Sequence, residues 1–230
     1  MTKDSHHLPL VSVPDNFQIG YRPGRFSGSR TNLLLAETSS AIELCNGRHL
    51  LLARNGRGKT TLLKTIAGII PSLKGEIALN GTVQFVDEDL RFDDELKTRN
   101  LLKALFKGDQ LSFAHSMADT IELDLEKPYG KLSKGNRQKV ALVVAEARAH
   151  GKDSQVLLLD EPFSGLDFAA REKVDAIWSE SENSIVRLVC VHPDEPTLKA
   201  DSAIMISEGR LEQIQVKGSL DWLEARKTLI

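Results

Sequence analysis

Short apolar runs alternate along the chain with segments whose apolar residues recur at helical spacing. Residues 50–52 and 156–159 are continuous apolar runs, a pattern typical of strands that are buried on both faces. Behind the first run, apolar residues recur at helical spacing in segment 62–70 and stop at Pro71. Strands that alternate with helices in this way predict a largely parallel sheet covered by helices on both faces.

The remaining periodic segments extend this alternation over most of the chain. Helical spacing recurs in segments 96–125, 140–147 and 170–178. Strand patterns recur in segments 13–21, 33–44, 75–79, 83–86, 185–191, 203–206 and 211–214. The last ten residues predict a short helix.

Two dipeptides predict tight turns between strands. Asn80-Gly81 lies between the strand patterns 75–79 and 83–86 and is the strongest short hairpin signal in the chain. These two strands are therefore predicted to pair as an antiparallel hairpin. Glu208-Gly209 predicts a second turn between two later strands.

The segment 53–61, Ala-Arg-Asn-Gly-Arg-Gly-Lys-Thr-Thr, joins the first apolar strand to its helix. This layout is that of a phosphate-binding loop, whose backbone N–H groups wrap an anion at a helix N-terminus. Lys59 is expected to reach the β- and γ-phosphates, and the Thr60 hydroxyl to hold Mg²⁺. Ala53 stands where the strict pattern has glycine, so this residue must have a negative φ. The alternative is a glycine-rich turn that binds no nucleotide.

Three polar residues directly follow apolar strands, namely Asp160, Glu161 and His192. Ligands of open α/β sheets bind beyond the carboxyl ends of the strands. We therefore expect these residues and the phosphate-binding loop to converge on one edge of the sheet. The alternatives are a capped strand end for the two acids and a buried structural histidine for His192.

Composition and charge narrow the class of protein. The chain has 230 residues, of which 41% are hydrophobic and 27% charged, values that suit one large α/β domain with room for a subdomain. The formal net charge of −2 gives no sign of nucleic-acid binding or of a polybasic membrane contact. Cys45 and Cys190 lie in apolar surroundings and are expected to be reduced thiols in or near the core.

The sequence also indicates the cellular compartment in which the protein is expected. No apolar run approaches the roughly 18 residues of a membrane span, and the first 12 residues lack the apolar core of a signal peptide. A soluble cytosolic protein is expected, with any membrane role supplied by a partner. His6-His7 lie in a polar N-terminal segment, where adjacent histidines are more often solvated than metal-bound.

Several of these segments resemble motifs of one family. From about residue 21 to 209 the chain resembles the ATP-binding subunit of an ABC transporter, with the motifs in that family's order. Residues 55–61 resemble the first nucleotide motif and 157–162 the second. Residues 132–140, Leu-Ser-Lys-Gly-Asn-Arg-Gln-Lys-Val, resemble the family's signature segment, which other phosphate-loop folds lack. Residues 164–167, Ser-Gly-Leu-Asp, resemble the loop after the second motif.

The resemblance implies a fold and a domain organisation. The fold is an α/β P-loop NTPase with a mostly parallel sheet, an antiparallel β-hairpin subdomain and a short helical subdomain. A single domain spans 1–230. Its nucleotide-binding core lies at about 13–95 and 152–230, and the helical subdomain with the signature segment at about 96–151.

The resemblance also implies ATP and Mg²⁺ as cofactors and assigns roles to single residues. Asp160 holds Mg²⁺ through water, Glu161 orients or deprotonates the attacking water, and His192, which resembles the switch histidine, donates to the γ-phosphate. Tyr21 resembles the aromatic residue on which adenine stacks, with Phe17 or Phe26 as alternatives. The residues implied in ATP binding are Tyr21, Asn55, Gly56, Arg57, Gly58, Lys59 (also catalytic), Thr60, Thr61, Ser133 and Gly135.

Partners follow from the same resemblance. Ser133 and Gly135 are implied to contact the γ-phosphate of ATP held by a second subunit, so that two chains clamp two nucleotides head to tail. The helix behind Ser133 is predicted to begin near Asn136. The implied partners are a second ATPase subunit, identical or different, and a transmembrane permease, which places the chain on the cytoplasmic face of the membrane. No nucleic-acid partner is expected.

Three positions depart from the family pattern. Lys134 stands where glycine is usual and Asn136 where glutamine is usual. The loop after the predicted hairpin normally brings a glutamine to Mg²⁺, and alignment of residues 85–88 places Glu88 in that role, with Gln84 as the alternative. Glu88 adds negative charge beside the triphosphate, and Lys134 adds a positive charge near the partner's phosphates. These departures predict an atypical transporter ATPase.

Two functions are consistent with the motifs. The first is an ATPase that drives a separate permease, with the acidic loop near Glu88 and the helical insert as the coupling surface. The second is a regulatory ATPase that dimerises with ATP on a ribosome or on DNA. Relatives of the second kind usually carry two such domains or long coiled coils, and this sequence has neither.

Overall fold

The computed structural model describes residues 8–23, 32–180, 185–191 and 200–215. The chain divides into two compact units: unit 1 comprises Met1–Phe85, Ser154–Leu158 and Ile185–Ile230, and unit 2 comprises Val86–Asp153 and Leu159–Ser184. The predicted subdomain boundaries near residues 96 and 151 stay a prediction. Sequence-based expectations for four features lie outside the described residues, namely His6-His7, Phe26, His192 and the C-terminal helix.

Within the described residues, the chain forms eleven strands and five α-helices. The strands are β1 (Val11–Val13), β2 (Gln18–Tyr21), β3 (Leu33–Thr38), β4 (Ile42–Leu44), β5 (Gly47–Ala53), β6 (Ala78–Leu79), β7 (Thr82–Val86), β8 (Gln155–Asp160), β9 (Ile185–Cys190), β10 (Ser202–Ser207) and β11 (Arg210–Gln215). The helices are α1 (Lys59–Ile66), α2 (Thr98–Leu105), α3 (Gly108–Thr120), α4 (Lys134–Ala149) and α5 (Phe168–Glu180).

The larger sheet has eight strands in the order β2-β3-β11-β10-β5-β9-β8-β7. At its centre β10, β5 and β9 are parallel, so that Leu51 pairs with Ile204 on one side and Cys190 on the other. All six residues of β9 are buried, as are the last six of β5, because parallel strands of this kind are covered on both faces. The predicted α/β architecture with a parallel sheet is confirmed. β10 and β11 also form the predicted antiparallel pair around Glu208-Gly209.

Helix α1 packs its apolar face on the core of unit 1. Leu62, Leu63 and Ile66 are buried there with side chains of the sheet. The helix ends at Ile66, earlier than the apolar pattern to residue 70 predicts, because the chain turns at Gly68, which adopts a φ of 71°. Neither cysteine forms a disulfide: Cys190 is buried in β9 and Cys45 is half-buried.

The hairpin predicted at Asn80-Gly81 is wrong. β6 pairs with β1 in a separate antiparallel sheet of order β4-β1-β6, whereas β7 lies beside β8 in the large sheet. Asn80 is held to the first sheet, since its N–H donates to the Leu10 carbonyl at 2.9 Å. The N–H of Thr82 donates to the Ser154 carbonyl at 2.9 Å. Asn80-Gly81 therefore carries the chain from one sheet to the other, and the predicted antiparallel part exists as this three-stranded sheet.

Unit 2 is mainly helical. The continuous helix predicted over residues 96–125 is divided into α2 and α3 by Phe106 and Lys107, whose backbones are extended. α3 packs against α4, and its buried residues are Ala114, Met117 and Ala118. α4 begins at Lys134, two residues before the predicted start. None of the helices in the part of the chain that the structure describes is long and apolar enough to cross a membrane.

Candidate functional site

The phosphate-binding loop of unit 1 has the local geometry that the sequence predicts. It leaves the buried strand β5 at Ala53 and enters α1 at Lys59. Gly56 and Gly58 have φ values of 75° and 103°, a region that side chains disfavour, so glycine is required at both positions. Ala53 does not have a positive φ, and for this reason alanine is tolerated there; its side chain is fully buried in β5. The loop can therefore form without the first glycine of the strict pattern.

The ammonium of Lys59 is buried inside this loop. Its Nζ donates to the Ala53 carbonyl and to Asn55 Oδ1, both at 3.1 Å, and the residue is only 7% exposed. Both acceptors, the only ones found for this ammonium among the described residues, are neutral oxygens. Because a buried charge is costly without a counter-charge, the loop is suited to an anion such as a phosphate. This observation argues against a glycine-rich turn without a ligand.

The remaining loop residues divide between exposed and buried positions. Asn55, Gly56, Arg57 and Thr60 are exposed. Thr61 is buried, and its Oγ1 lies 2.9 Å from the hydroxyl of Tyr21 on β2. This hydrogen bond ties Tyr21 to the first turn of α1, which the sequence did not predict.

The exposed fraction of the side chain distinguishes between the aromatic residues that are predicted to stack on adenine. Phe17 is 1% exposed, so its ring is not available to a ligand, and this alternative is wrong. Tyr21 is 49% exposed and keeps a free surface for stacking. The preference for Tyr21 over Phe17 therefore has a structural reason.

The two consecutive acids belong to unit 2 and lie at the end of strand β8. Asp160 is the last residue of β8 and is 6% exposed. Glu161 is half-buried and adopts a φ of 46°, in the left-handed region. Its carbonyl accepts hydrogen bonds from the Ser164 N–H at 3.0 Å and from Gln138 Nε2 at 3.3 Å. No pattern in the sequence predicts this backbone conformation.

The turn that follows Glu161 is fixed at its far end by α5. Arg171 donates to the Phe163 carbonyl through Nη2 and to the Leu166 carbonyl through Nε, both at 3.1 Å. Asp167 caps the helix, since its Oδ1 accepts from the Ala170 N–H at 2.8 Å. These roles of Arg171 and Gln138 could not be predicted, because a polar residue on a helix carries no signal for a bond to a distant carbonyl.

Ser133 is the N-cap of α4. Its Oγ accepts hydrogen bonds from the Asn136 N–H at 3.3 Å and from Asn136 Nδ2 at 3.1 Å. Gly135 lies against the turn after Glu161, and a Cβ added to it would stand 2.2 Å from the Gly165 carbonyl oxygen. Glycine at position 135 therefore has a packing reason within its own unit, in addition to any contact with nucleotide.

Two of the residues that depart from the family pattern contact each other. Lys134 Nζ lies 2.9 Å from Glu88 Oε1, and Ser164 Oγ lies 3.5 Å from the same oxygen. A cation on the first residue of a helix is unfavourable beside the positive end of the helix dipole. The carboxylate of Glu88 offsets that repulsion. The expectation that Lys134 adds a positive charge near a partner's phosphates stays a prediction.

The loop that carries Glu88 is anchored by Tyr129. The Tyr129 hydroxyl donates to the Leu90 carbonyl at 3.0 Å, and its ring meets the Phe92 ring edge to face with centroids 5.4 Å apart. Burial raises the pKa of Tyr129 above its ordinary value, so the hydroxyl remains a donor at neutral pH. Glu88 is thus presented by a loop whose backbone is held in place.

No group of three or more His, Cys, Asp or Glu side chains within the described ranges could hold a metal ion by itself. Mg²⁺ does not need such a group, because it is usually held by one or two carboxylates together with substrate phosphates and water. The roles of Thr60, Asp160 and Glu88 as Mg²⁺ ligands stay a prediction. His192 lies outside the described residues.

Comparison with known proteins gives concordant matches. The family model for ABC transporters matches residues 43–164. The taurine import ATP-binding protein TauB of Shigella flexneri and that of Escherichia coli K12 are each 32% identical to this chain over 180 residues, which cover 70% of this chain and 69% of the relative.

Solved structures agree at the level of the fold. An ATP-binding subunit of an ABC transporter has a TM-score of 0.69 at 21% identity, over 96% of this chain and 94% of that one. A dimeric bacterial ABC transporter cassette also has a TM-score of 0.69, at 17% identity, over 90% of this chain and 99% of that one.

Proposed function

The chain belongs to the ATP-binding subunits of ABC transporters, which are ATPases, and on that premise we propose that it hydrolyses MgATP to drive a separate membrane permease. The chain sits on the cytoplasmic face of the membrane through that permease. The loop near Glu88 and the helices of unit 2 form the coupling surface. Action on a ribosome or on DNA, the other function considered, has no observation in its favour.

The observation that carries the proposal is the buried ammonium of Lys59. It contacts two neutral oxygens at 3.1 Å inside a loop of positive-φ glycines. A hydrogen bond that involves a charged group is stronger than a neutral one. The β- and γ-phosphates of ATP supply the missing negative charge. Tyr21 stacks on the adenine, and the residues of segment 55–61 surround the phosphates.

Hydrolysis is assigned to residues that follow the strands of the sheet. Thr60 and Asp160 would hold Mg²⁺, with Glu88 as a further oxygen ligand, and the bound ion would supply positive charge beside the phosphates. Glu161 accepts the proton of the attacking water. Lys59 and His192 stabilise charge that develops at the γ-phosphate.

A second ATPase subunit completes the proposed machine. Ser133 and Gly135 contact ATP held by that subunit, which is a second copy of this chain or a different chain. The N-cap position of Ser133 supports this role, because N–H groups at a helix N-terminus attract an anion. The dimeric cassette among the structural neighbours is consistent with such a pair.

Two substitutions test the proposed chemistry. Lys59→Ala should weaken ATP binding about tenfold to a hundredfold, since it removes a charge-assisted hydrogen bond. Glu161→Gln should bind ATP with the parent's affinity and hydrolyse it at least about a hundredfold more slowly, because an amide cannot accept the proton. Binding is measured by calorimetry and hydrolysis by phosphate release.

The matched control is Lys64→Ala, which removes a lysine from the last turn of the same helix, where its ammonium lies 6.0 Å from the centre of the Phe85 ring. This variant should bind ATP like the parent. Unchanged ATP affinity in Lys59→Ala removes the phosphate-binding role from this loop. Normal hydrolysis by Glu161→Gln removes Glu161 as the catalytic carboxylate.

A further inference from the structure

Glu161 has a backbone conformation that its residue type disfavours. Its φ of 46° lies in the left-handed region, which residues with a Cβ rarely adopt. The next residue is Pro162, and the ring of a proline further restricts the backbone of the residue before it. A residue in such a conformation persists only when surrounding contacts hold it there.

The carbonyl of Glu161 receives two hydrogen bonds, both from unit 2. One is the local bond from the Ser164 N–H at 3.0 Å, which any tight turn makes. The other comes from α4, where Gln138 Nε2 donates at 3.3 Å. Gln138 is 4% exposed, and in the described part of the chain this is the one hydrogen bond of its side chain. The buried amide of Gln138 is therefore directed at the Glu161 carbonyl.

The rest of the turn is fixed without Gln138. Arg171 holds the carbonyls of Phe163 and Leu166, and the backbone of Gly165 lies against Gly135. Of the side chains in the described ranges, Gln138 is the one that donates to the Glu161 carbonyl. Loss of this donor therefore frees the start of the turn while its end stays in place.

We propose that Gln138 is a positioning residue for Glu161: its amide holds the Glu161 backbone in the left-handed conformation and so fixes the direction of the carboxylate. A change of φ to the ordinary region would rotate the Cα–Cβ bond and point the carboxylate elsewhere. Misplacement of a reacting group by about 1 Å costs on the order of a hundredfold in rate. The inference rests on the proposed role of Glu161 as the base.

The test replaces the amide of Gln138 by groups of similar size that cannot donate. Gln138→Glu places an acceptor against the Glu161 carbonyl and should lower kcat about tenfold or more. The KM for ATP and the ATP affinity should stay unchanged, because the phosphate-binding loop is untouched. Gln138→Met, which is uncharged and of similar length, should give a smaller loss of kcat in the same direction, and it carries the comparison if Gln138→Glu does not fold.

The matched control is Gln110→Glu. Gln110 also donates from a helix of unit 2 to a backbone carbonyl, that of Arg148 at 3.2 Å, but at an exposed position. This control should match the parent in kcat and KM. An equal loss of kcat in both variants would show that the effect is one of general destabilisation.

A readout without nucleotide separates the inference from the proposed function. In the free chain, Gln138→Glu should shift the backbone carbon resonances of Glu161 and speed hydrogen exchange of the Ser164 amide about tenfold, whereas Gln110→Glu should do neither. Parent-like resonances, exchange and kcat in the Gln138 variants overturn the inference, even if Glu161→Gln abolishes hydrolysis. Normal hydrolysis by Glu161→Gln overturns the role of Glu161 instead, while the resonances still report whether Gln138 holds its backbone.

Discussion

Gly135→Ala tests whether the start of α4 is packed as tightly as the structure indicates. Two effects of this substitution oppose each other. Alanine is a better helix former than glycine, which favours the variant by at most about 1 kcal/mol. Its Cβ, however, would stand 2.2 Å from the Gly165 carbonyl oxygen and 3.1 Å from the Gly165 carbonyl carbon. Contacts of a Cβ shorter than 3.0 Å are essentially never seen, so the two backbones must separate by about 0.8 Å.

The packing effect is expected to dominate. Overpacking in a close contact costs about 1–3 kcal/mol, and here the obstacle is backbone, which cannot rotate away as a side chain can. We expect a net loss of about 1–2 kcal/mol in the free energy of unfolding. For a chain of this size that corresponds to a Tm lower by about 2–8 °C.

The measurement is thermal unfolding of the chain without nucleotide. Gly151→Asn is the matched control, because Gly151 follows the other end of α4, has a φ of 69° and shows nothing within 4 Å of an added Cβ. Asparagine tolerates that conformation, so the control should change the free energy of unfolding by less than about 0.5 kcal/mol. A Gly135→Ala chain with an unchanged or raised Tm would refute the packing argument and leave helix propensity as the governing effect.

Two further predictions concern charge. Burial lowers the pKa of His49 below its ordinary value of about 6.5, opposed by its hydrogen bond to the Cys45 carbonyl and by Asp201. The folded chain then binds fewer protons than the unfolded one, so stability should fall as the pH drops below about 6.5. In His49→Gln, the denaturant midpoint should therefore change less between about pH 7 and 5 than in the parent. A denaturant midpoint that changes with pH as much in His49→Gln as in the parent would contradict this prediction. A double-mutant cycle of Glu88→Gln and Lys134→Gln, measured by urea unfolding, should give a coupling free energy below about 1 kcal/mol. The reason is that the side chains of Glu88 and Lys134 are 37% and 66% exposed. A larger coupling free energy would show that the ion pair is stronger than its exposure allows.

Local sequence signals predicted the parts of the fold that local chemistry determines. The loop before Lys59 follows from glycines at two positions that need positive φ, and its flanking elements follow from apolar periodicity. Asn80-Gly81 does not form a hairpin because the N–H groups of Asn80 and Thr82 donate to the carbonyls of Leu10 and Ser154, which are distant in sequence. A hairpin signal contains no information about such partners.

The same distinction applies to the candidate site. Motif spacing identified Glu161 and Ser133, and the structure describes both. The left-handed φ of Glu161 and the hydrogen bond from Gln138, which lies 23 residues away, to its carbonyl could not be read from spacing. The pairing of Glu88 with Lys134 joins positions 46 residues apart. In the sequence, these two residues are only separate departures from a family pattern.

Four residues at the start of α4 have identified contacts within unit 2, and this affects how their variants should be interpreted. These contacts are the cap of Ser133 on Asn136, the pair of Lys134 with Glu88, the packing of Gly135 on Gly165 and the bond of Gln138 to Glu161. A variant at Gly135 or Gln138, whose contacts reach the turn that carries Glu161, therefore disturbs that turn in its own chain before any second subunit is involved. Loss of hydrolysis in such a variant is evidence for contact with a partner's nucleotide only when the free chain keeps the parent's Tm and the parent's resonances at Glu161.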